Sequence, residues 1–180
     1  AKKHGLGFIP QLNTAHWYYT GRYDVYSQTD EQFNALAKAT EWFAKEYGDY
    51  FAAYEILNEP TIRSFNRYFD TWAGPELCMK NVNVVAEALK KGDPDKFVWG
   101  VCMCELMMER AQTYFKAMVE TGEFDKYIDG LSLHPYALDV PEIYRIYDWY
   151  IKPYYIDVLE ENGIHDMPIF FSEVGYPNTF

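Results

Sequence analysis

The chain has 180 residues, enough for one globular domain with a sizeable core. Hydrophobic residues make up 49% of it and the formal net charge is -11. The first excludes a disordered chain; the second argues against nucleic acid or an anionic membrane as partner, since both need a basic footprint.

The start, AKKHGLGF, carries neither an initiator Met nor a signal peptide, and both ends read as cut from a longer chain. Gly5 to Asn13 forms a short apolar run that turns polar at its end. Thr29 followed by Gln32 has the pattern of a capping box. Phe33, Leu36, Ala37, Thr40, Phe43, Ala44 and Tyr47 then recur at helical spacing up to Gly48. Phe51 to Pro60 reads as a buried strand. A helix is predicted from Pro75 to Lys91 with Gly92 as its stop, and a strand from Lys96 to Met103. Another helix runs to about Thr121 and ends at Gly122. A strand covers Tyr127 to His134. Asp139 is a candidate cap for a helix reaching Glu161, kinked at Pro153. Met167 to Glu173 is the fifth strand.

The order is therefore β-α-β-α-β-α-β-α-β, with crossovers long enough for parallel pairing. The strands are almost continuously apolar, as expected where both faces of a sheet are covered. Either a doubly wound sheet or an eight-stranded barrel fits this order, but no glycine-rich phosphate loop follows any strand. No run approaches the roughly 20 apolar residues of a membrane span. The cysteines, Cys78, Cys102 and Cys104, form neither a disulfide framework nor a zinc signature and read as buried thiols.

Polar residues gather where strands end: Gln11, Asn13 and His16; Asn58 and Glu59; His134 and Tyr136; Glu173. In barrels these ends build the active site. Two glutamates on rigid strand ends suit glycoside cleavage, in which one carboxyl donates a proton and the other attacks the anomeric carbon. Aromatics are 19% of the chain. Trp17, Tyr18 and Tyr19 after the first strand, and Tyr68 and Trp72 after Glu59, could line a sugar platform, because the C–H face of a pyranose packs on a flat ring; core or cover is the alternative for each. Trp149 reads as core. Glu105, at the end of the middle strand, either faces the cleft or, as the preferred reading, is a helix N-terminal acid favoured by the dipole. Glu55, four residues before Glu59, lies on the same face one layer deeper; it is either a third carboxylate of the site or, as the preferred reading, a structural interior glutamate that needs a cationic or hydrogen-bonding partner, for which a strand outside this chain is a candidate source. His4 and His165 read as exposed.

The run Tyr54-Glu55-Ile56-Leu57-Asn58-Glu59-Pro60 resembles the fourth-strand motif of the clan A glycoside hydrolases, a retaining group on the (β/α)8 barrel. Leu131 to Tyr136, with its His-Pro-Tyr, resembles the clan's sixth-strand motif. Phe170 to Gly175 resembles the seventh-strand motif that carries the nucleophile. The stretch from Asp129 to Tyr136 is also similar to the xylosidase and iduronidase family. The resemblance implies an incomplete barrel of about five β/α units spanning strands three to seven. It makes Glu59 the acid/base and Glu173 the nucleophile, with Asn58 on the sugar 2-hydroxyl and Tyr136 holding Glu173. His134 is placed beside the site, His16 against the glycone sugar (a surface-loop histidine being the alternative), and Trp17 as a further candidate substrate contact. The implied partner is a carbohydrate, with no cofactor and no metal. The remaining barrel strands would be needed, among them those giving the clan's arginine near the nucleophile and its aromatic under the sugar. A polysaccharide substrate would imply an extracellular or periplasmic setting. Two other readings stay open: a metal-dependent barrel isomerase or hydrolase with Glu59, His134 and Glu173 around one divalent ion, and a carbohydrate-binding barrel without catalysis.

Overall fold

A computed structural model describes residues 2–13, 26–61, 74–137 and 140–175. Five strands form one sheet: β1 Gln11–Leu12, β2 Ala53–Asn58, β3 Phe97–Met103, β4 Gly130–Leu133 and β5 Ile169–Phe171. Every neighbouring pair is parallel, and the order in space is the order in sequence. A doubly wound sheet reverses its strand order at a switch point; this one keeps adding strands in one direction, as a barrel wall does.

Helices fill the crossovers. Helix α1, Asp30–Tyr47, begins at the expected capping box: the Gln32 N–H donates to Thr29 Oγ1 and the Thr29 N–H donates back to Gln32 Oε1. Helix α2, Pro75–Gly92, has proline in its first turn, where the missing N–H costs nothing. Helix α3 is Glu109–Val119, and Gly122 beyond it takes the left-handed conformation that turns the chain toward β4. Helix α4, Val140–Ile146, continues through a π-helical segment, Tyr147–Ile156, into α5, Asp157–Glu161. The kink expected at Pro153 is instead absorbed by these wider turns, in which a residue without an N–H can sit. The proposed cap Asp139 lies outside the described residues.

Alternation along the strands separates two faces. One face carries Tyr54, Ile56, Val98, Leu131 and Leu133, buried in a single core with Val82, Val85 and Leu89 of α2 and Phe115 and Met118 of α3. The opposite face carries Gln11, Glu55, Trp99, Ser132 and Phe170, with Gln11 in register with Glu55 and Glu55 with Trp99. Gly130 makes room for the Trp99 ring: a Cβ there would lie 2.4 Å from it.

Two expectations fail here. Trp149 is 63% exposed, because the π-helical segment turns it away from the side that buries Ile151 and Tyr155. Glu105 is not a first-turn residue of α3; it stands four residues ahead, in a left-handed conformation, and its carboxylate takes a two-pronged contact from Arg110.

Candidate active site

The end of β2 is bent rather than regular. Leu57 and Glu59 both have positive φ, 61° and 46°, although neither is glycine. Such conformations are costly for residues with a side chain and persist where the surroundings impose them. Here the Glu59 N–H donates to the Cys102 carbonyl of the neighbouring strand at 2.9 Å. The carboxyl of Glu59 thereby turns to His134, whose Nδ1 lies 2.9 Å from Glu59 Oε1. His134 follows β4 directly and its backbone N–H is tied to Met103 at 2.8 Å. The ring is buried, which fixes it between two elements.

Glu173 arrives from the far side of the sheet, two residues beyond β5. One of its oxygens, Oε2, accepts a hydrogen bond from the Tyr136 hydroxyl at 2.6 Å and lies 3.7 Å from His134 Nδ1. Tyr136 pairs with Gly175 in an isolated parallel bridge, and a Cβ on Gly175 would meet the tyrosine ring at 2.9 Å. The glycine thus leaves room for the Tyr136 ring to lie against the backbone at position 175. The bond to Glu173 pushes the Tyr136 hydroxyl up from its ordinary value to about 12.

One oxygen each of Glu59 and Glu173 and one nitrogen of His134 therefore lie within 4.8 Å of one another. Three such donors are close enough to share a divalent cation. Beside them opens a cavity of about 260 Å³ lined by Glu59, Glu105, Leu106, His134 and Tyr136. Cys104 borders it too. Burial first, then the negative Glu59, pushes its thiol up to about 12, so it stands there as a neutral group.

Asn58 lies one residue before Glu59, and its amide oxygen accepts from Gln11 Nε2 at 3.0 Å. The same nitrogen donates to Glu55 Oε2 at 3.1 Å. A strand outside this chain was a candidate source of a partner for Glu55; Glu55 finds Gln11 and Ser132 within the chain, and Ser132 donates to its other oxygen. Ser132 Oγ lies 2.7 Å from Ser172 Oγ, which lies 3.0 Å from His134 Nε2. Ser132 and Ser172 stand inside the two motifs that carry His134 and Glu173, and strand alternation alone puts Ser132 on the face of Glu55. His16 and Trp17 fall outside the described residues, as do Tyr18, Tyr19, Tyr68 and Trp72.

No protein-family model matches the chain, and no curated protein matches it in sequence. Solved structures do match. A GH39 β-xylosidase from Caulobacter crescentus aligns over 97% of this chain and 37% of its own, at 16% identity and a TM-score of 0.56. A family 44 endoglucanase from Clostridium thermocellum aligns over 79% and 41%, at 14% identity and a TM-score of 0.56. Xylanase 10B from Thermotoga maritima aligns over 91% and 48%, at 18% identity and a TM-score of 0.53. The fold is therefore that of part of a (β/α)8 barrel. The chain spans well under two thirds of the length of each of these structures.

Proposed function

We propose that the chain is the site-bearing part of a (β/α)8-barrel glycoside hydrolase of clan A, which cleaves O-glycosidic bonds in oligo- or polysaccharides with retention. The observation that carries this reading is the spacing of the two carboxylates: oxygens of Glu59 and Glu173, just beyond the ends of β2 and β5, come within 4.8 Å of each other. Retaining enzymes hold their carboxyl groups about 5–5.5 Å apart, and inverting ones about 6.5–9.5 Å, to admit a water.

Glu59 then acts as acid/base and Glu173 as nucleophile. Glu173 attacks the anomeric carbon while Glu59 gives its proton to the departing oxygen. A water enters, Glu59 takes a proton from it, and the hydroxide displaces Glu173 from the sugar. Tyr136 steers Glu173 through its hydroxyl. Asn58, whose amide oxygen is held by Gln11, has its amide nitrogen to offer a sugar hydroxyl. The motif around Asp129 to Tyr136 favours kinship with the xylosidase and iduronidase family, and His16 and Trp17 are candidate contacts to the sugar. No cofactor enters these steps.

The test is covalent. The intact protein is incubated with a panel of 2-fluoro aryl glycosides and digested, and the labelled peptide is identified by mass spectrometry. A sugar on Glu173, with product of retained configuration by proton NMR, is expected; inverted product would sink the proposal. A second reading rests on the same spacing, which would also suit a divalent ion held by Glu59, His134 and Glu173. Activity lost on chelation and regained with metal would put that reading first. A protein that binds the sugars and cleaves none would be a non-catalytic carbohydrate binder.

A further inference from the structure

Four side chains on the inner face form an unbroken file behind the candidate acid/base: Glu55, Ser132, Ser172 and His134. A serine hydroxyl has a single hydrogen, so each link in such a file dictates the direction of the next. Both oxygens of Glu55 accept, Oε2 from Gln11 and Oε1 from Ser132, as an ionised carboxylate does. The neighbouring Cys102 thiol is pushed well above its usual range by burial and by the Glu55 charge, so it keeps its hydrogen. Ser132 spends its hydrogen on Glu55. The 2.7 Å contact between the two serines must then be a donation from Ser172 to Ser132. Ser172, with its hydrogen used, can only accept from His134, so Nε2 carries a hydrogen.

The other ring nitrogen is thereby left to the carboxylates. Nδ1 lies 2.9 Å from Glu59 Oε1 and 3.7 Å from Glu173 Oε2. With neutral His134, the close contact is a hydrogen bond only if Glu59 holds a proton and donates it to Nδ1. With charged His134, the same proton sits on nitrogen and Glu59 accepts it. Either way one proton belongs to the Glu59–His134 bond.

We infer that Glu55, through Ser132 and Ser172, is a positioning residue that fixes a hydrogen on His134 Nε2 and so keeps the His134–Glu59 pair loaded with one further proton, shared between Nδ1 and Glu59. That proton is the one the leaving group needs, so the inference rests on the reading of Glu59 as acid/base. Glu55→Gln nearly preserves shape but allows the file to reverse. The amide nitrogen can donate to Ser132, Ser132 to Ser172, and Ser172 to Nε2. His134 is then a neutral imidazole with its only hydrogen on Nδ1, donated to an ionised Glu59, so the pair holds one proton fewer than in the wild type and has none to give.

The experiment has two arms on the intact protein. In the first, ¹⁵N spectra of the labelled imidazoles are compared, with His134 identified by its loss in His134→Gln. The wild type is expected to bear hydrogen on Nε2, and Glu55→Gln to shift toward Nδ1. Ser172→Ala should give a mixture and Ser172→Thr, which keeps the hydroxyl, the wild-type signal; these two also serve if Glu55→Gln does not fold. Hydrogen on Nδ1 alone in the wild type, or one spectrum for all variants, would overturn the inference whether or not the protein cleaves glycosides. In the second arm, kcat/KM of Glu55→Gln should fall at least about tenfold on alkyl glycosides. It should fall no more than about threefold on dinitrophenyl glycosides, whose leaving group needs no acid. An equal loss on both classes would limit Glu55 to a structural role, against the inference. An inert wild type with the expected tautomers would remove the glycosidase reading and the purpose of the proton, and leave the relay itself standing.

Discussion

Replacing Tyr136 with Phe removes one hydroxyl and one hydrogen bond, 2.6 Å long, to Glu173 Oε2. A hydrogen bond to a charged group contributes about 1.5–3 kcal/mol when both partners are well buried. Tyr136 is 51% exposed, so water can replace part of it, and about 1–1.5 kcal/mol is the reasonable range. The sign depends on the step. In the proposed mechanism the charge of Glu173 is spent as it attacks and the hydrogen bond weakens, so its loss hardly slows glycosylation. While the glycosyl-enzyme breaks down, the charge returns to Glu173 and the bond strengthens toward the transition state. Deglycosylation should therefore slow by about five- to tenfold. With dinitrophenyl glycosides, whose first step is fast, kcat and KM should fall together while kcat/KM stays within about twofold. Steady-state kinetics and the size of the initial burst of phenolate measure both. An unchanged kcat, or a loss in kcat/KM equal to that in kcat, would refute the reasoning, since Tyr136 would then act mainly on the placement of Glu173 for attack.

Cys78 and Cys104, pushed up to about 11 and about 12 chiefly by burial, hold almost no thiolate at mildly alkaline pH. All 3 cysteines should therefore resist iodoacetamide in the folded protein and react after unfolding, as counted by mass. Tyr136 titrates at about 12 in the folded state against an ordinary 10.0. Its contribution to stability is thus complete below about pH 10 and is lost as pH rises toward about 12; denaturant melts of wild type and Tyr136→Phe should converge across that window. Phe115→Ala empties a fully buried site between Phe124 and Tyr155, and should cost about 3–5 kcal/mol in the same melts.

What could be read from the sequence was whatever depends on local chemistry. The capping box at Thr29 declares itself because both of its hydrogen bonds lie within four residues. Glu59, His134, Tyr136 and Glu173 stand out in the sequence because polar groups at the ends of apolar strands are unusual, and the structure brings the four together. The spatial order of the strands depends on long-range pairing and had to come from the structure. So did the partners of Glu55: Gln11 and Ser132 are 44 and 77 residues away from it. Trp149 was misjudged because helical spacing assumes regular turns of 3.6 residues, and the π-helical segment around Pro153 rotates each side chain away from that phase.

The sheet itself bears on whether residues 1–180 can stand alone. Among the described residues, β1 and β5 each pair on one side only. Five strands are too few to close a barrel of this type, so among the described residues both outer edges present unpaired backbone groups. The apolar surface near those edges is considerable: Leu6 is 65% exposed and Phe8 53% ahead of β1, while Phe171 is 37% and Val174 51% exposed at β5. Parallel edges with such neighbours favour pairing with another chain. The inner face adds to the difficulty, because Glu55, Ser132 and His134 keep their hydrogen bonds only while the strands hold register. We therefore expect the isolated chain to self-associate, and to become monomeric when the remaining barrel strands are supplied on the same chain or in trans. Light scattering coupled to size exclusion, followed by thermal unfolding, tests this. A monodisperse monomer with one cooperative transition would mean that the described sheet seals its own edges, and the requirement for further strands would fall with it.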